Sequence, residues 1–269
     1  MTTRTVLTDF NAERTVATVR LNRPEKLNGV TWHMLREMRQ VQRALRREKK
    51  LRVVVLEGAG TSFCAGLDFK SALASPFTVL KMYLQIWLPW RNVFQSWAMG
   101  WRDLPVPVIA RVQGHCFGAG LQLVLGADIR VCTLDACISV MESKWGLVPD
   151  MGGVALLAEL LPLDVAKELV LTGRVIEGAQ AAELGVMTHA SELPDAVVHG
   201  LVAEILERSP DAVAAGKRLL QRVWGPDASE HLAQERRWQR KLVGFKNQRI
   251  SLHRHAGGKS VPFVKSRIK

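Results

Sequence analysis

The chain predicts an α/β fold, and three observations carry that prediction. Two runs rich in Val, Leu and Ile, 51–57 and 106–112, are mostly apolar without alternation, as strands buried on both faces are. Glycine turns at 58–60, 63–68 and 118–120 separate such runs from segments with a helical period. Beyond Pro149 the pattern becomes mostly helical, over 151–161, 163–171, 178–183, 193–207, 210–223 and 228–244.

Taken in order, Val6–Phe10 and Thr15–Leu21 alternate and read as a pair of strands, ended by Asn22-Arg23-Pro24. Thr31 can cap a helix to about Arg47, with Met34, Leu35, Met38, Val41, Gln42 and Leu45 at the 3.6 period. Leu51–Glu57 is a strand. Gly58-Ala59-Gly60 resembles a piece of a dinucleotide-binding motif but lacks the third glycine. Segment 78–102 is helical and carries Trp87, Trp90, Trp97 and Trp101. Aromatics at this spacing usually pack in a core.

The stretch 105–153 organises the chain. Val106–Val112 is a buried strand, Gly118-Ala119-Gly120 a turn with almost no side chain, Leu121–Leu125 a buried helix and Ile129–Val131 a second strand. Two isolated carboxylates, Glu142 and Asp150, follow. A strand, a glycine turn and a helix N-terminus aim bare backbone N–H groups at one point. Such a point suits an anion, or a carbonyl oxygen about to become one. Asp150 has a second reading, as an N-cap before Met151-Gly152-Gly153.

Composition narrows the class. The four cysteines, Cys64, Cys116, Cys132 and Cys137, sit in or beside apolar segments without metal spacing, which points to reduced thiols in a cytoplasmic protein. No metal is expected. The N-terminus has no apolar core of signal-peptide length. Segment 79–99 contains Lys81, Pro89 and Arg91, so no membrane span is expected. The net charge of +12 is uneven: eleven Lys or Arg and no acid lie between Arg236 and Lys269. That tail reads as a solvated stretch, as a contact for ligand phosphates, or as a weak polyanion site. His253-Arg254-His255 reads as solvated.

Gly114-His-Cys-Phe-Gly-Ala-Gly120, Gly126-Ala-Asp-Ile-Arg130 and Gly146-Leu-Val-Pro-Asp-Met-Gly-Gly153 resemble the central signature of the enoyl-CoA hydratase/isomerase (crotonase) superfamily. Leu21-Asn-Arg-Pro24, Phe63-Cys-Ala-Gly-Leu-Asp68, Leu171-Thr-Gly173 and Ala181-Ala-Glu-Leu-Gly-Val186 match it too, at the family's spacing. The resemblance implies a crotonase-like spiral of strand-strand-helix units over 1–193. It implies a C-terminal helical oligomerisation region over 194–269, bearing the basic tail, and assembly as a homotrimer or hexamer. An acyl-CoA thioester is the implied substrate, with no cofactor beyond coenzyme A as part of it. The implied oxyanion donors are the N–H groups of Leu67 and Ala119. The implied substrate-binding residues are Lys26, Ala65, Gly66, Asp68, Gly118 and Gly120. In the family the region of 78–102 helps wall the acyl pocket, so its tryptophans are expected to narrow that pocket.

The implied catalytic residues are Glu142, Asp150 and Gln122. Hydratases of the superfamily carry two glutamates twenty positions apart. Here the first position holds Gln122 and the second Glu142. Glutamine orients a water but exchanges no proton at neutral pH. One glutamate suffices for the family's isomerases, which move a double bond by removing and returning a proton. Isomerisation by Glu142 is therefore the expected activity. Hydration with Gln122 only orienting water is the alternative. A catalytically idle CoA-ester binder or an RNA-binding protein is the alternative of another class, nucleic acid being the less expected partner.

Overall fold

A computed structural model describes residues 4–73, 75–223, 228–258 and 261. Its strands are β1 (Val6–Phe10), β2 (Val16–Leu21), β3 (Val53–Gly58), β4 (Val108–Val112), β5 (His115–Phe117), β6 (Ile129–Thr133), β7 (Cys137–Ser139), β8 (Ile176–Glu177) and β9 (His189–Ser191). They form a six-stranded sheet in the order β1-β2-β3-β4-β6-β9 and a three-stranded sheet in the order β5-β7-β8. In the large sheet only the β1–β2 hairpin is antiparallel. Asn11 closes that hairpin: its Oδ1 accepts the N–H groups of Thr15 and Val16 at 2.8 and 2.9 Å.

The apolar run of β3 is explained by what covers each face. Val54 and Leu56 face the main core, whereas Val53 and Val55 pack with Ile109, Val131 and Val198 under the helix Pro194–Leu206. The first helix, α1 (Trp32–Leu45), starts where Thr31 Oγ1 accepts the Met34 N–H at 3.1 Å. It buries Met34, Leu35, Met38, Gln42 and Leu45. Segment 78–102 is not one helix. A short α2 (Phe69–Leu73) leads into α3 (Pro76–Ile86), and α4 (Val93–Arg102) follows a break containing Pro89. Proline has no N–H with which to continue the ladder. Asn92 then restarts the chain with a capping box to Gln95.

The helix α5 (Ala119–Leu125) is buried along its whole length. After a 3₁₀ turn, Glu142–Trp145, come α6 (Gly153–Leu160), α7 (Leu163–Thr172), α8 (Gly178–Glu183), α9 (Pro194–Leu206), α10 (Pro210–Val223), α11 (Ala228–Leu242) and α12 (Lys246–His255). Lys217 ties α10 to the spiral. Its ammonium donates to Asp128 Oδ2 at 2.7 Å and to the carbonyls of Val106 and Trp101 at 2.9 and 3.2 Å. Of the basic tail, Lys259, Lys265, Arg267 and Lys269 lie outside the described residues. Arg236 is not solvated: it is buried and donates to Gln95 Oε1 at 2.8 Å. Among the described residues no helix is long and apolar enough to cross a membrane.

Candidate active site

Two glycine turns meet because short parallel bridges lace them together. The N–H groups of Phe63 and Cys64 donate to the carbonyls of Gln113 and His115, and the Phe117 N–H donates back to Cys64. Further along, Val30 donates to the Gly66 carbonyl and Asp68 to the Val30 carbonyl. This register leaves the N–H groups of Leu67 and Ala119 without an acceptor among the described residues. Both residues line one cavity. Gly66 (φ +98°) and Gly118 (φ +49°) hold backbone conformations that L side chains rarely adopt. A Cβ at Gly66 would also stand 3.1 Å from the Phe117 carbonyl oxygen.

The cavity has a volume of about 650 Å³ and a mostly apolar wall that includes Phe69, Met82, Ile86, Phe94, Trp145 and Phe245. Its size is that of a small-molecule site. Ala65, Gly66, Leu67, Gly118, Ala119, Glu142 and Asp150 all line it. Lys26, Asp68, Gly120 and Gln122 do not. Lys26 is exposed on a 3₁₀ turn, Pro24–Lys26, whose following residues bond to the turn 63–68. Asp68 accepts from Arg23 and from Ser71 instead. Gly120 sits behind the turn, where a Cβ would come within 2.6 Å of the Cys64 carbonyl oxygen.

The tryptophans do not narrow the cavity. Trp87 and Trp90 are exposed at 54% and 65%, while Trp97 and Trp101 are buried in the core. Trp97 has a different task. Its Nε1 donates to the Ala119 carbonyl at 2.8 Å and pins the turn from behind. The wall contributed by this region comes from α3, through Val79, Met82, Tyr83 and Ile86, and from Phe94 of α4. Residues of α11 and α12, among them Gln239, Gln248 and Arg249, close another side. The resemblance implies that C-terminal helices close over the ligand; it does not single out these side chains, and the apolar pattern of 246–255 is too weak to mark which face lines the cavity.

Glu142 is 9% exposed. Burial pushes its carboxyl up from the ordinary 4.5 to about 7, against the opposing pull of hydrogen bonds from its own backbone and from Gln122. Gln122 Nε2 donates to Glu142 Oε1 at 2.5 Å. Glu142 Oε2 has no hydrogen-bond partner among the described residues. Gln122 is itself 2% exposed, and its Oε1 accepts the N–H groups of Met151 and Gly153 at 2.8 and 3.0 Å. Asp150 lies half-buried on the wall, and α6 begins after Gly152, which occupies the N-cap. The arrangement offers two bare N–H donors and a carboxyl that exchanges a proton near neutral pH. Those are the needs of a carbonyl compound whose neighbouring carbon loses a proton.

Comparison with known proteins gives the same direction. The family model for enoyl-CoA hydratase/isomerase matches residues 11–264. The chain is 34% identical to carnitinyl-CoA dehydratase of Proteus mirabilis over 203 residues, covering 74% of each protein. It is 32% identical over 227 residues to mouse enoyl-CoA hydratase domain-containing protein 2, mitochondrial, covering 82% of this chain and 74% of the relative. A Thermobifida fusca YX protein solved in complex with acetoacetyl-CoA superposes with a TM-score of 0.74 at 31% identity, over 88% of this chain and 94% of that one. With its mostly parallel main sheet and a family match over nearly its whole length, this chain belongs to the enoyl-CoA hydratase/isomerase (crotonase) family.

Proposed function

We propose that the protein isomerises the double bond of an enoyl-CoA thioester, with Glu142 as the single acid/base. The observation that carries this reading is the state of the two family positions. One holds a buried carboxyl poised near pH 7 with an unpartnered oxygen, and the other holds an amide already engaged by protein atoms. In a 3-enoyl thioester, Glu142 Oε2 takes a proton from C2, and the C–H electron pair forms the C1–C2 double bond of an enolate. Charge moves to the thioester oxygen, which the N–H groups of Leu67 and Ala119 receive as an oxyanion hole. Glu142 then returns its proton to C4 as the C2–C3 double bond forms. Asp150 is the second acid on the same wall and serves substrates whose protonation site lies further along the chain.

Coenzyme A enters as part of the substrate, and the T. fusca complex with acetoacetyl-CoA supports a thioester ligand. Lys26 and the exposed Arg249 are the cations proposed for its phosphates. Assembly as a trimer or hexamer is proposed from the family resemblance. The free, buried Cys64, Cys116 and Cys132 support a reducing, cytoplasmic compartment.

Hydration is the second reading, favoured by relatives named as hydratases and dehydratases. It lacks a second proton-exchanging group at 122, and general acid–base catalysis by one group is worth about 10²–10⁴ in rate. The deciding experiment offers 2-enoyl, 3-enoyl and 2,4-dienoyl thioesters to the wild type and to Glu142→Gln. Turnover of the 3-enoyl ester, lost in the variant, is expected. Fast hydration of the 2-enoyl ester with no isomerisation would overturn the reading.

A further inference from the structure

We propose that Gln122 is a positioning residue that brackets the two cavity acids. Its Nε2 fixes Glu142, its Oε1 fixes the segment that carries Asp150, and Glu142 Oε2 is left as the one atom that trades protons with the ligand. Only the last clause rests on the isomerase reading; the bracket itself does not.

The bonding of Gln122 is specific to an amide. Its oxygen has two lone pairs, and both are used, by the N–H groups of Met151 and Gly153. Its nitrogen is a donor and meets Glu142 Oε1. Met151 directly follows Asp150, so one side chain bears on both carboxyls. Space is cut to fit. A Cβ at Gly153 would lie 2.6 Å from Gln122 Oε1, and a Cβ at Gly118 would lie 3.2 Å from Glu142 Oε1. A glutamate at 122 could still accept from the same two N–H groups, but it could meet Glu142 Oε1 only by sharing a proton with it. Two carboxyl groups at that separation share one proton and titrate as a pair. A methionine would leave the two N–H groups and Glu142 Oε1 without their partner. Among residues of this length and shape, only glutamine serves all three contacts whatever the protonation state.

The same geometry accounts for the state of Glu142. Burial raises its carboxyl, and the Gln122 N–H opposes that rise. The other titratable or charged groups on the cavity wall are Asp150 from the segment after the 3₁₀ turn, Tyr83 from α3 and Arg249 from α12; α5, the turn 65–67 and α11 bring none.

The test needs no substrate. Difference infrared spectroscopy of the ligand-free protein, wild type against Glu142→Gln, identifies the Glu142 carboxyl band and its titration midpoint. In Gln122→Met the midpoint should rise by about one pH unit or more, because burial is then less opposed. Gln122→Glu keeps the acceptor for Met151 and Gly153, so it folds even where the methionine variant does not, and its carboxyl band should titrate in two separated steps. A Glu142 band that titrates as in the wild type, in every variant that folds, overturns the bracket. With a substrate in hand, kcat in both variants should fall about tenfold or more while KM stays within about twofold, as expected for a misplaced base. A shifted band in a protein whose wild type turns over no enoyl thioester would sink the proposed function and leave the bracket standing.

Discussion

Glu142→Gln should abolish turnover and yet stabilise the protein, and the gain should depend on pH. The carboxyl is raised in the fold from 4.5 to about 7, because burial penalises its charge. At about 1.4 kcal/mol per pH unit, ionising it in place costs about 3 kcal/mol relative to the unfolded chain. The sign follows from the proton count. Below about pH 4.5 the group is protonated in both states and nothing is lost. Between about 4.5 and about 7 the folded state holds the proton longer, so stability falls as pH rises. Above about 7 the full penalty is present. The glutamine variant escapes it. Urea denaturation at about pH 5.5 and about pH 8.5 should show the stability gap between variant and wild type widening by about 2 kcal/mol towards the alkaline end. In parallel, kcat/KM of the wild type should fall about tenfold per unit below about pH 7, since only the ionised form takes a proton. A gap that does not change with pH would refute the claim that Glu142 is held protonated by burial.

Three further outcomes follow from single contacts. Asp128→Ala removes the anion from Lys217, whose side chain is 5% exposed, and should cost about 3–5 kcal/mol; an unchanged urea midpoint would show that the carbonyls of Trp101 and Val106 suffice. Gly120→Ala places a methyl 2.6 Å from the Cys64 carbonyl oxygen and should cost about 1–3 kcal/mol by overpacking. It should also lower kcat by displacing the turn 63–67; a folded variant with wild-type kcat would separate this turn from the thioester. Met82→Trp fills part of the apolar wall and should depress kcat/KM for long acyl chains more than for short ones. Trp87→Ala, at an exposed site outside the wall, should leave both unchanged.

Much of the scaffold was legible where one local rule decides the outcome. Thr31 reads as a cap and is one, because a hydroxyl at that spacing has only the Met34 N–H to meet. The apolar run of β3 foretold burial of both faces, and α9 covers the second. Pairing across short elements was not legible. β5, β7 and β9 have three residues each and β8 has two, too few for any period to show. The break before α4 was signalled by Pro89 but masked by the apolar residues on both sides of it. At the site, the glycine turns and Glu142 stand out by motif. The part played by Gln122 does not, because its oxygen bonds residues 29 and 31 positions away. No spacing rule predicts that the amide is spent on the backbone and on a carboxyl instead of facing the ligand. Lys217 was missed for the same reason, as its partners lie 89 to 116 positions distant.

A site built from bare N–H groups is possible only if the rest of each turn is held by other bonds. Each turn here is tied on both sides. Ala65 donates to Leu27, and Gly66 accepts from Val30 on the side of the loop 24–30. Phe117 donates to Cys64, and Gly118 to Ser139 on the side of the second sheet. Trp97 holds the Ala119 carbonyl from the core. Residues 67 and 119 are therefore left with donors that cannot relax onto a neighbour, and the two turns cannot move apart without breaking the backbone hydrogen bonds that pair residue 64 with residue 116. Fixed dipoles of this kind stabilise a forming oxyanion without reorganising. Under the proposed function, that requirement fits the glycines that flank the donors, Gly66, Gly118 and Gly120. A side chain able to accept a hydrogen bond would quench the donor that the proposed function needs.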